Sequence, residues 1–163
     1  MTKVNYQNQD VIWYFHIRQY MKEANGNLWV FRGERAEWIC ITTNGFVKAN
    51  GHCVMGRGCA KEANEKFNIS AEIGGLIKQY GNRVLVLHDI RIITFPVKHK
   101  WFEIADLSLI EKSAHQLIEV CDKFMIEKVY MPRPGCGNGK LDWNNVKPVL
   151  ANILDDRFTV VTY

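Results

Sequence analysis

Twice along this chain, a run of β-forming residues leads into a glycine-rich loop and then into a helix-forming segment. The first loop follows Thr42-Thr43-Asn44-Gly45 and runs from Gly51 to Lys61, and the second runs from Met131 to Trp143. A strand, a loop and a helix in that order build a sheet with helices packed on its faces. Loops that follow parallel strands meet at the carboxyl edge of such a sheet. The sequence therefore predicts an α/β fold with both loops at one edge.

The other apolar runs predict a mixed sheet. Runs rich in β-forming residues predict strands at Leu28–Phe31, Trp38–Thr43, Arg83–His88, Ile90–Phe95, Lys128–Met131 and Phe158–Thr162. Only a turn around Asp89 separates the third and fourth of these strands. So short a connection favours an antiparallel pair, because a parallel pair needs a long crossover.

Helical patterns lie between these strands. They predict helices at Gly58–Phe67, at Ala71–Tyr80, at Leu107–Met125 with Asp106 or Ser108 as the cap, and from Asp142 to about Leu154. Asp10–Ala24 also has helical spacing, although Val11–Ile17 fits a strand equally well. We expect a three-layer α/β/α sandwich with a mixed central sheet, formed by one domain over residues 1–163 with residues 1–26 as an N-terminal extension.

Composition excludes several classes of protein. The chain has 163 residues, of which 47% are hydrophobic and 23% charged, as in ordinary globular domains rather than disordered or membrane-spanning chains. Met1–Gln7 carries no signal-peptide pattern and no run is long enough to cross a bilayer, so we expect a cytoplasmic protein without a membrane partner. We also expect a monomer. The net charge of +4 suits an anionic ligand but comes from dispersed residues, not from a basic stripe.

The cysteines give no sign of a disulfide framework or a metal site. There are five of them, an odd number without paired CxxC spacing, which indicates reduced thiols. No His, Asp or Glu cluster has the spacing of metal ligands. We therefore expect no cofactor, and any chemistry to proceed without a metal.

Each glycine-rich loop ends at the start of a predicted helix. Free backbone N–H groups and the positive end of the helix dipole can hold a phosphate there without side-chain charge. For either loop alone, an ordinary tight turn is an equally good interpretation, but the two together favour an anion site. Neither loop matches the Walker A or GxGxxG pattern, which argues against nucleoside triphosphatases and ordinary dehydrogenases.

Three motifs occur in the order found in a known family. They are Val54-Met55-Gly56-Arg57-Gly58-Cys59-Ala60, Phe95-Pro96-Val97-Lys98-His99-Lys100-Trp101 and Pro134-Gly135-Cys136-Gly137-Asn138-Gly139-Lys140-Leu141-Asp142-Trp143. Over Trp38–Tyr163 the chain resembles the macrodomain family. The similar branch includes DNA ADP-ribosyl glycohydrolases of toxin–antitoxin pairs, terminal ADP-ribose glycohydrolases and related phage proteins.

The resemblance implies a cleft that holds ADP-ribose or a derivative between the two loops. Asn44 best matches the family's ribose-binding asparagine, and Asn50, which directly precedes the first glycine loop, is its rival. The implied ligand-binding residues are Asn44, Asn50, Gly51, Val54, Met55, Gly56, Arg57, Gly58, Pro134, Gly135, Cys136, Gly137, Asn138 and Gly139.

The resemblance also implies catalytic roles for Lys98 and Asn44. An ammonium at the matching position lies beside the distal ribose, where it can engage the anomeric carbon or stabilise charge as the glycosidic bond breaks. An exposed lysine in the basic cluster Lys98-His99-Lys100 is the structural alternative. The resemblance implies an aspartate in the human glycohydrolase of this branch where this chain has Gly139, and a glycine there in the bacterial DNA-directed enzymes. The family's adenine-binding acid has only Glu34 as a possible counterpart.

Three functions remain open at this point. The leading hypothesis is a hydrolase that removes ADP-ribose from a modified macromolecule, and nucleic acid would enter only as such a substrate. An ADP-ribose 1''-phosphate phosphatase using His52 or a water, and a non-catalytic binder of ADP-ribose or a cyclic relative, are the alternatives. His52 is more simply a loop histidine, Cys136 a small residue in a tight loop, and Trp101 and Trp143 core aromatics.

Overall fold

The computed structural model describes residues 19–163. Its strands are β1 Lys22–Asn25, β2 Trp38–Asn44, β3 Val86–Leu87, β4 Ile92–Lys98, β5 Val129–Pro132 and β6 Phe158–Thr162. Its helices are α1 Leu28–Arg32, α2 Gly58–Phe67, α3 Ser70–Tyr80, α4 Leu107–Phe124 and α5 Trp143–Ala151, with a 3-10 turn at His88–Ile90. No helix in this part of the chain is long and apolar enough to cross a membrane.

The strands form one mixed sheet in the order β1-β6-β5-β2-β4-β3. Neighbouring strands are parallel except for β3 and β4, which pair antiparallel through Val86 with Ile93 and Leu87 with Ile92. This confirms the mixed sheet and the antiparallel pair. The parallel strands all end at one edge, which is where ligands bind in open α/β sheets.

Alternating residues of the strands face two separate cores. Ile39 and Ile41 pack in one core with α1, α2 and α3, whereas Cys40 packs in the other with α4 and α5. A strand points successive side chains to opposite faces, so each face of the sheet is covered by one layer of helices. The predicted three-layer sandwich is confirmed.

Two local predictions were wrong. Leu28–Phe31 is not a strand but most of α1, because the Asn27 side chain accepts a hydrogen bond of 2.8 Å from the Trp29 amide and caps the helix. Lys22–Ala24 is not the end of a helix but part of β1, paired with β6. The rest of the predicted Asp10–Ala24 helix lies mainly outside the described residues, and its strand alternative Val11–Ile17 lies entirely outside them.

The other predicted elements occur with small shifts at their ends. Asp106, rather than Ser108, caps α4 and accepts hydrogen bonds from the Ser108 and Leu109 amides. Helix α5 ends at Ala151, three residues before the predicted end at about Leu154, and β3 has only two paired residues. The helix that was predicted from Ala71 begins one residue earlier, at Ser70.

Helix α3 supports the base of the first glycine-rich loop. The Cys53 amide donates a hydrogen bond of 2.9 Å to the Ser70 carbonyl, and Gly74 lies directly against the loop backbone. A Cβ atom on Gly74 would overlap the carbonyl oxygen of Gly51 and lie 2.9 Å from the Cys53 nitrogen. Gly74 is therefore required for this close contact between helix and loop.

We expect Gly74→Ala to destabilise the fold by about 3 kcal/mol or more, because backbone atoms must move to admit the methyl group. Gly75→Ala is the matched control, since nothing lies within 4 Å of a Cβ at Gly75 in the same helix. Helix propensity alone predicts that this second change stabilises the protein by up to about 1 kcal/mol. Urea denaturation of both variants measures the difference, and equal stability would contradict the close packing.

Candidate functional site

A cavity of about 1240 Å³ opens at the carboxyl edge of the sheet. Strand ends and the residues after β1 line it: Thr42–Asn44 of β2, Val97 and Lys98 of β4, Pro132 of β5, Val161 and Thr162 of β6, and Gly26–Leu28 after β1. Each of these strands contributes because all of them run toward the same edge.

Both predicted loops line this one cavity. Residues 54–60 of the first loop and 135–140 of the second lie on its walls. The loops come within van der Waals reach, since a Cβ atom placed on Gly58 would lie 3.3 Å from Nδ2 of Asn138. Gly58 has a φ of +59°, a conformation that side chains disfavour. The structure therefore brings the two loops together around a common space.

Most of the predicted ligand-binding residues line the cavity, and three do not. Those on its walls are Asn44, Val54, Met55, Gly56, Arg57, Gly58, Gly135, Cys136, Gly137, Asn138 and Gly139. Asn50, Gly51 and Pro134 are absent from the lining. Asn50 instead accepts a hydrogen bond of 3.1 Å from the His52 amide within its own turn. Between the two rival asparagines, only Asn44 lies in the cavity.

Asn44 and Lys98 are neighbours across the sheet. The pairing of β2 with β4 places Asn44 opposite Lys98, after a register shift between Thr43 and Asn44. The Asn44 amide nitrogen donates to the Val54 carbonyl at 2.9 Å, and its oxygen accepts from the Phe46 amide at 2.9 Å. Asn44 thus ties Phe46, which follows β2, to Val54 in the first loop while lining the cavity beside Lys98.

The Lys98 amine links the end of β4 to the second loop. Its Nζ donates to the carbonyl of Asn138 at 3.2 Å and to that of Trp101 at 3.4 Å. Burial lowers the pKa of this amine, and the positive charges of Arg57 and Lys140 lower it further. Its partners are neutral carbonyls, so the positive charge remains available to a ligand.

We expect Arg57→Gln to raise the pKa of Lys98, because removing a nearby positive charge favours the protonated amine. Burial is the larger cause, so the pKa should still lie below that of a free lysine. The chemical shift of the lysine ε-carbon followed against pH measures the change. Arg35→Gln, at an exposed position outside the cavity, is the control and should leave the Lys98 titration unchanged.

The start of α2 offers backbone donors to an anion. The first N–H groups of a helix have no intrahelical acceptor, and Arg57 at the N-cap makes no side-chain capping bond here. Gly56, Arg57 and Gly58 are exposed to the cavity. The positive end of the helix dipole reinforces these donors, so the first loop can bind a phosphate group.

Two residues considered as catalytic candidates are poorly suited to that role. His52 does not line the cavity, and its Nδ1 lies 2.8 Å from Oγ of Ser70. Cys136 lines it, but burial raises the pKa of its thiol, which disfavours the nucleophilic thiolate. Within residues 19–163, no group of three or more His, Cys, Asp or Glu side chains is arranged to hold a metal ion.

A large part of the cavity lining is formed by residues that the sequence did not predict to bind a ligand. The missed residues include Gly26, Asn27, Glu62, Phe102, Ile104, Arg133, Lys140 and Tyr163. The Asn25-Gly26-Asn27 sequence could have signalled a strand end followed by a helix cap, and so a further loop at the same edge. Glu34 is absent from the lining. Trp143 packs against the core as expected, but Trp101 is 49% exposed, so its assignment to the core was wrong.

No family model matches the chain, but known proteins are similar to it in sequence or in fold. The ADP-ribose glycohydrolase OARD1 of Bos taurus is 29% identical over 130 residues, covering 77% of this chain and 86% of that protein. The DNA ADP-ribosyl glycohydrolase of Mycobacterium tuberculosis is 38% identical over 61 residues, covering 37% of this chain and 17% of that protein. The macrodomain of Thermus aquaticus DarG superposes with a TM-score of 0.69 at 23% identity, covering 88% of this chain and 97% of that domain.

Proposed function

We propose that this chain, which has the macrodomain fold, binds ADP-ribose between its two glycine-rich loops and hydrolyses the bond that joins ADP-ribose to a modified macromolecule. The observation that carries the proposal is the single cavity in which both loops, Asn44 and Lys98 meet. The similarity to an ADP-ribose glycohydrolase over most of its length supports it.

The order of the strands supports one orientation of the ligand. Along the cavity, the strand ends follow in the order β4, β2, β5, β6 and β1. Neighbouring strands lie about 4.8 Å apart, so these ends span roughly 19 Å, enough for an extended dinucleotide-like ligand. The distal ribose then lies at Lys98 and Asn44, the diphosphate between the loops, and the adenosine toward Asn27 and Tyr163.

The diphosphate is held mainly by the backbone. Free N–H groups at the start of α2 point toward it, and the Arg57 and Lys140 side chains add positive charge on the same walls. The glycines let the backbone approach a phosphate closely because they present no side chain. This arrangement neutralises two phosphate charges without requiring a metal ion.

Lys98 acts at the anomeric carbon of the distal ribose. The oxygen of a water molecule forms the new bond to this carbon, the bond to the macromolecule breaks, and the leaving atom takes up the proton that the water loses. A positive amine beside the breaking bond stabilises the negative charge that develops on the leaving atom, and Asn44 orients the ribose next to it. In the phosphatase alternative, His52 lies outside the cavity lining, so only its form with a loop-bound water as nucleophile remains.

The macromolecule that carries ADP-ribose would contact exposed apolar side chains at the mouth of the cavity. Phe102 and Ile104 are each 62% exposed at the cavity mouth, next to Trp101, whose carbonyl accepts a hydrogen bond from Lys98. Exposed aromatic rings beside lysines suit stacked bases and a phosphate backbone. We therefore propose a modified nucleic acid, rather than a modified protein, as the substrate.

An experiment on two substrates tests this function. The protein is incubated with a mono-ADP-ribosylated single-stranded oligonucleotide and with a mono-ADP-ribosylated protein, and free ADP-ribose is quantified by mass spectrometry. We expect release from the oligonucleotide to be faster. Binding of ADP-ribose without release from either substrate would leave only a binding function, and absence of both would contradict the proposal.

Phe102→Ala should lower kcat/KM for the oligonucleotide about tenfold, the effect of losing one stacked base, without changing the affinity for free ADP-ribose. Tyr80→Ala is the control, because Tyr80 is an exposed aromatic residue that does not line the cavity. An equal loss in both variants would mean that the mouth does not contact the substrate.

A further inference from the structure

We propose that Arg133 binds the adenosine-side phosphate of the ligand and thereby selects 5'-phosphorylated adenosine over adenosine. This inference rests on the proposed function and adds to it a specificity-determining side chain. Nothing in the glycine-rich motif or in the backbone donors requires an arginine at this point of the second loop.

The Arg133 side chain lines the cavity with unused hydrogen-bonding capacity. Its Nε is buried and has no hydrogen-bond partner among residues 19–163, so the terminal N–H groups of the guanidinium are the ones left to meet a ligand in the cavity that Arg133 lines. Among residues 19–163, no carboxylate forms an ion pair with its guanidinium. A buried donor without a partner costs free energy, and a charged one costs more. A phosphate at the cavity wall would give the guanidinium an anionic partner and offset part of this cost.

Three other side chains hold the guanidinium in position. It lies 5.0 Å above the ring of Trp143, whose Nε1 donates to Glu23 at 3.1 Å. Lys147 pairs with the same carboxylate at 2.6 Å, and this hydrogen bond is the main reason that the pKa of Glu23 is lowered. Glu23 thus bonds to Trp143 and Lys147 and fixes the ring on which the guanidinium rests. The positive charge of Arg133 is a smaller cause of the lowered Glu23 pKa, without an ion pair between the two side chains.

A stacked guanidinium presents its N–H groups along its edge, where they match the geometry of a phosphate. Lysine could supply the charge but neither the planar fork nor the stacking on Trp143. The local arrangement thus favours recognition of a phosphate over a hydroxyl group or a base.

The position of Arg133 in the sheet indicates which phosphate it meets. It follows Pro132, the last residue of β5, and β5 lies between β2 and β6. Lys98 belongs to β4, which is separated from β5 by β2. Thr162 belongs to β6, which is next to β5 on its other side, and Asn27 follows β1, which is next to β6. In the proposed orientation, the nearest phosphate is the one attached to adenosine.

Binding of four ligands to wild-type protein and to Arg133→Gln tests the inference. The ligands are ADP-ribose, AMP, adenosine and ribose 5-phosphate, measured by calorimetry or, for weak binding, by chemical-shift titration. We expect the substitution to weaken ADP-ribose and AMP about tenfold to a hundredfold, the range for a hydrogen bond to a charged group. Adenosine and ribose 5-phosphate should bind as they do to the wild-type protein.

Two further variants separate this role from a structural one. Arg133→Lys should recover only part of the AMP affinity, and Arg35→Gln, an exposed arginine outside the cavity, should bind all four ligands normally. Equal loss of adenosine and AMP, full recovery by lysine, or no loss in Arg133→Gln would overturn the role of Arg133 alone. Failure of the wild-type protein to bind ADP-ribose would overturn both this role and the proposed function.

Discussion

Lys98→Ala should reduce the release of ADP-ribose by roughly 10²–10³-fold or more, the loss seen when a group that stabilises transition-state charge is removed. The affinity for free ADP-ribose should change by no more than about tenfold, because the amine acts on the bond that breaks. Single-turnover release and calorimetry on the same protein measure the two quantities.

The control for this prediction is Lys112→Ala, which removes an exposed lysine of α4 that is not part of the cavity lining. It should leave both release and binding unchanged. Lys98 also bonds to the Asn138 and Trp101 carbonyls, so its removal could loosen the second loop. If binding and turnover fell by the same factor, Lys98 would be a binding residue; undiminished turnover would reject it altogether.

Gly139→Asp should destabilise the protein strongly, because the second loop leaves no room for a side chain at this position. A Cβ atom there would lie 2.5 Å from the Gly135 carbonyl oxygen and 2.7 Å from the Ala105 Cβ. Hydrogen bonds hold both of these neighbours in place. The Ala105 amide donates to the Gly139 carbonyl at 3.0 Å, and the Leu141 amide donates to the Gly135 carbonyl at 2.9 Å. We expect a loss of about 3 kcal/mol or more, or roughly 6–12 °C in Tm, with loss of ADP-ribose binding.

Gly137→Asp is the matched control, because it introduces the same residue into the same loop at a point with nothing within 4 Å of the new Cβ. Its Tm should stay within about 2 °C of the wild type, as for an ordinary surface substitution. Thermal unfolding of the two variants compares them directly. A stable and more active Gly139→Asp protein would show that the second loop has another conformation.

The parts of the fold that the sequence predicted are those with strong local signals. The long apolar face of α4, the Asp106 cap and the short connection between β3 and β4 each identify an element without knowledge of its neighbours. The two loops were located for the same reason, since a strand, glycines and a helix follow one another directly. Their convergence then follows from the parallel sheet.

The failures concern short segments with ambiguous local patterns. Leu28–Phe31 is a four-residue apolar run that fits a buried strand or a short helix, and only the Asn27 cap decides between them. Lys22–Ala24 continues a helical spacing but pairs with β6, at the far end of the chain. Local sequence contains no signal for a partner more than a hundred residues away.

The candidate site was predicted where it depends on the loops and missed where it depends on packing. Asn50 and Asn44 both flank the first loop, and only the folded chain separates the one that lines the cavity from the one in an exposed turn. Trp101 looks like a core residue because most tryptophans are buried. Its exposure, and the buried Nε of Arg133, depend on surroundings that distant segments create.

A crystal structure of the protein with ADP-ribose tests the central claim most directly. We predict electron density for one extended ligand along the carboxyl edge of the sheet, with its distal ribose beside Lys98 and Asn44 and its diphosphate between Gly58 and Asn138. Density at another surface, or an empty cavity at millimolar ADP-ribose, would contradict the account.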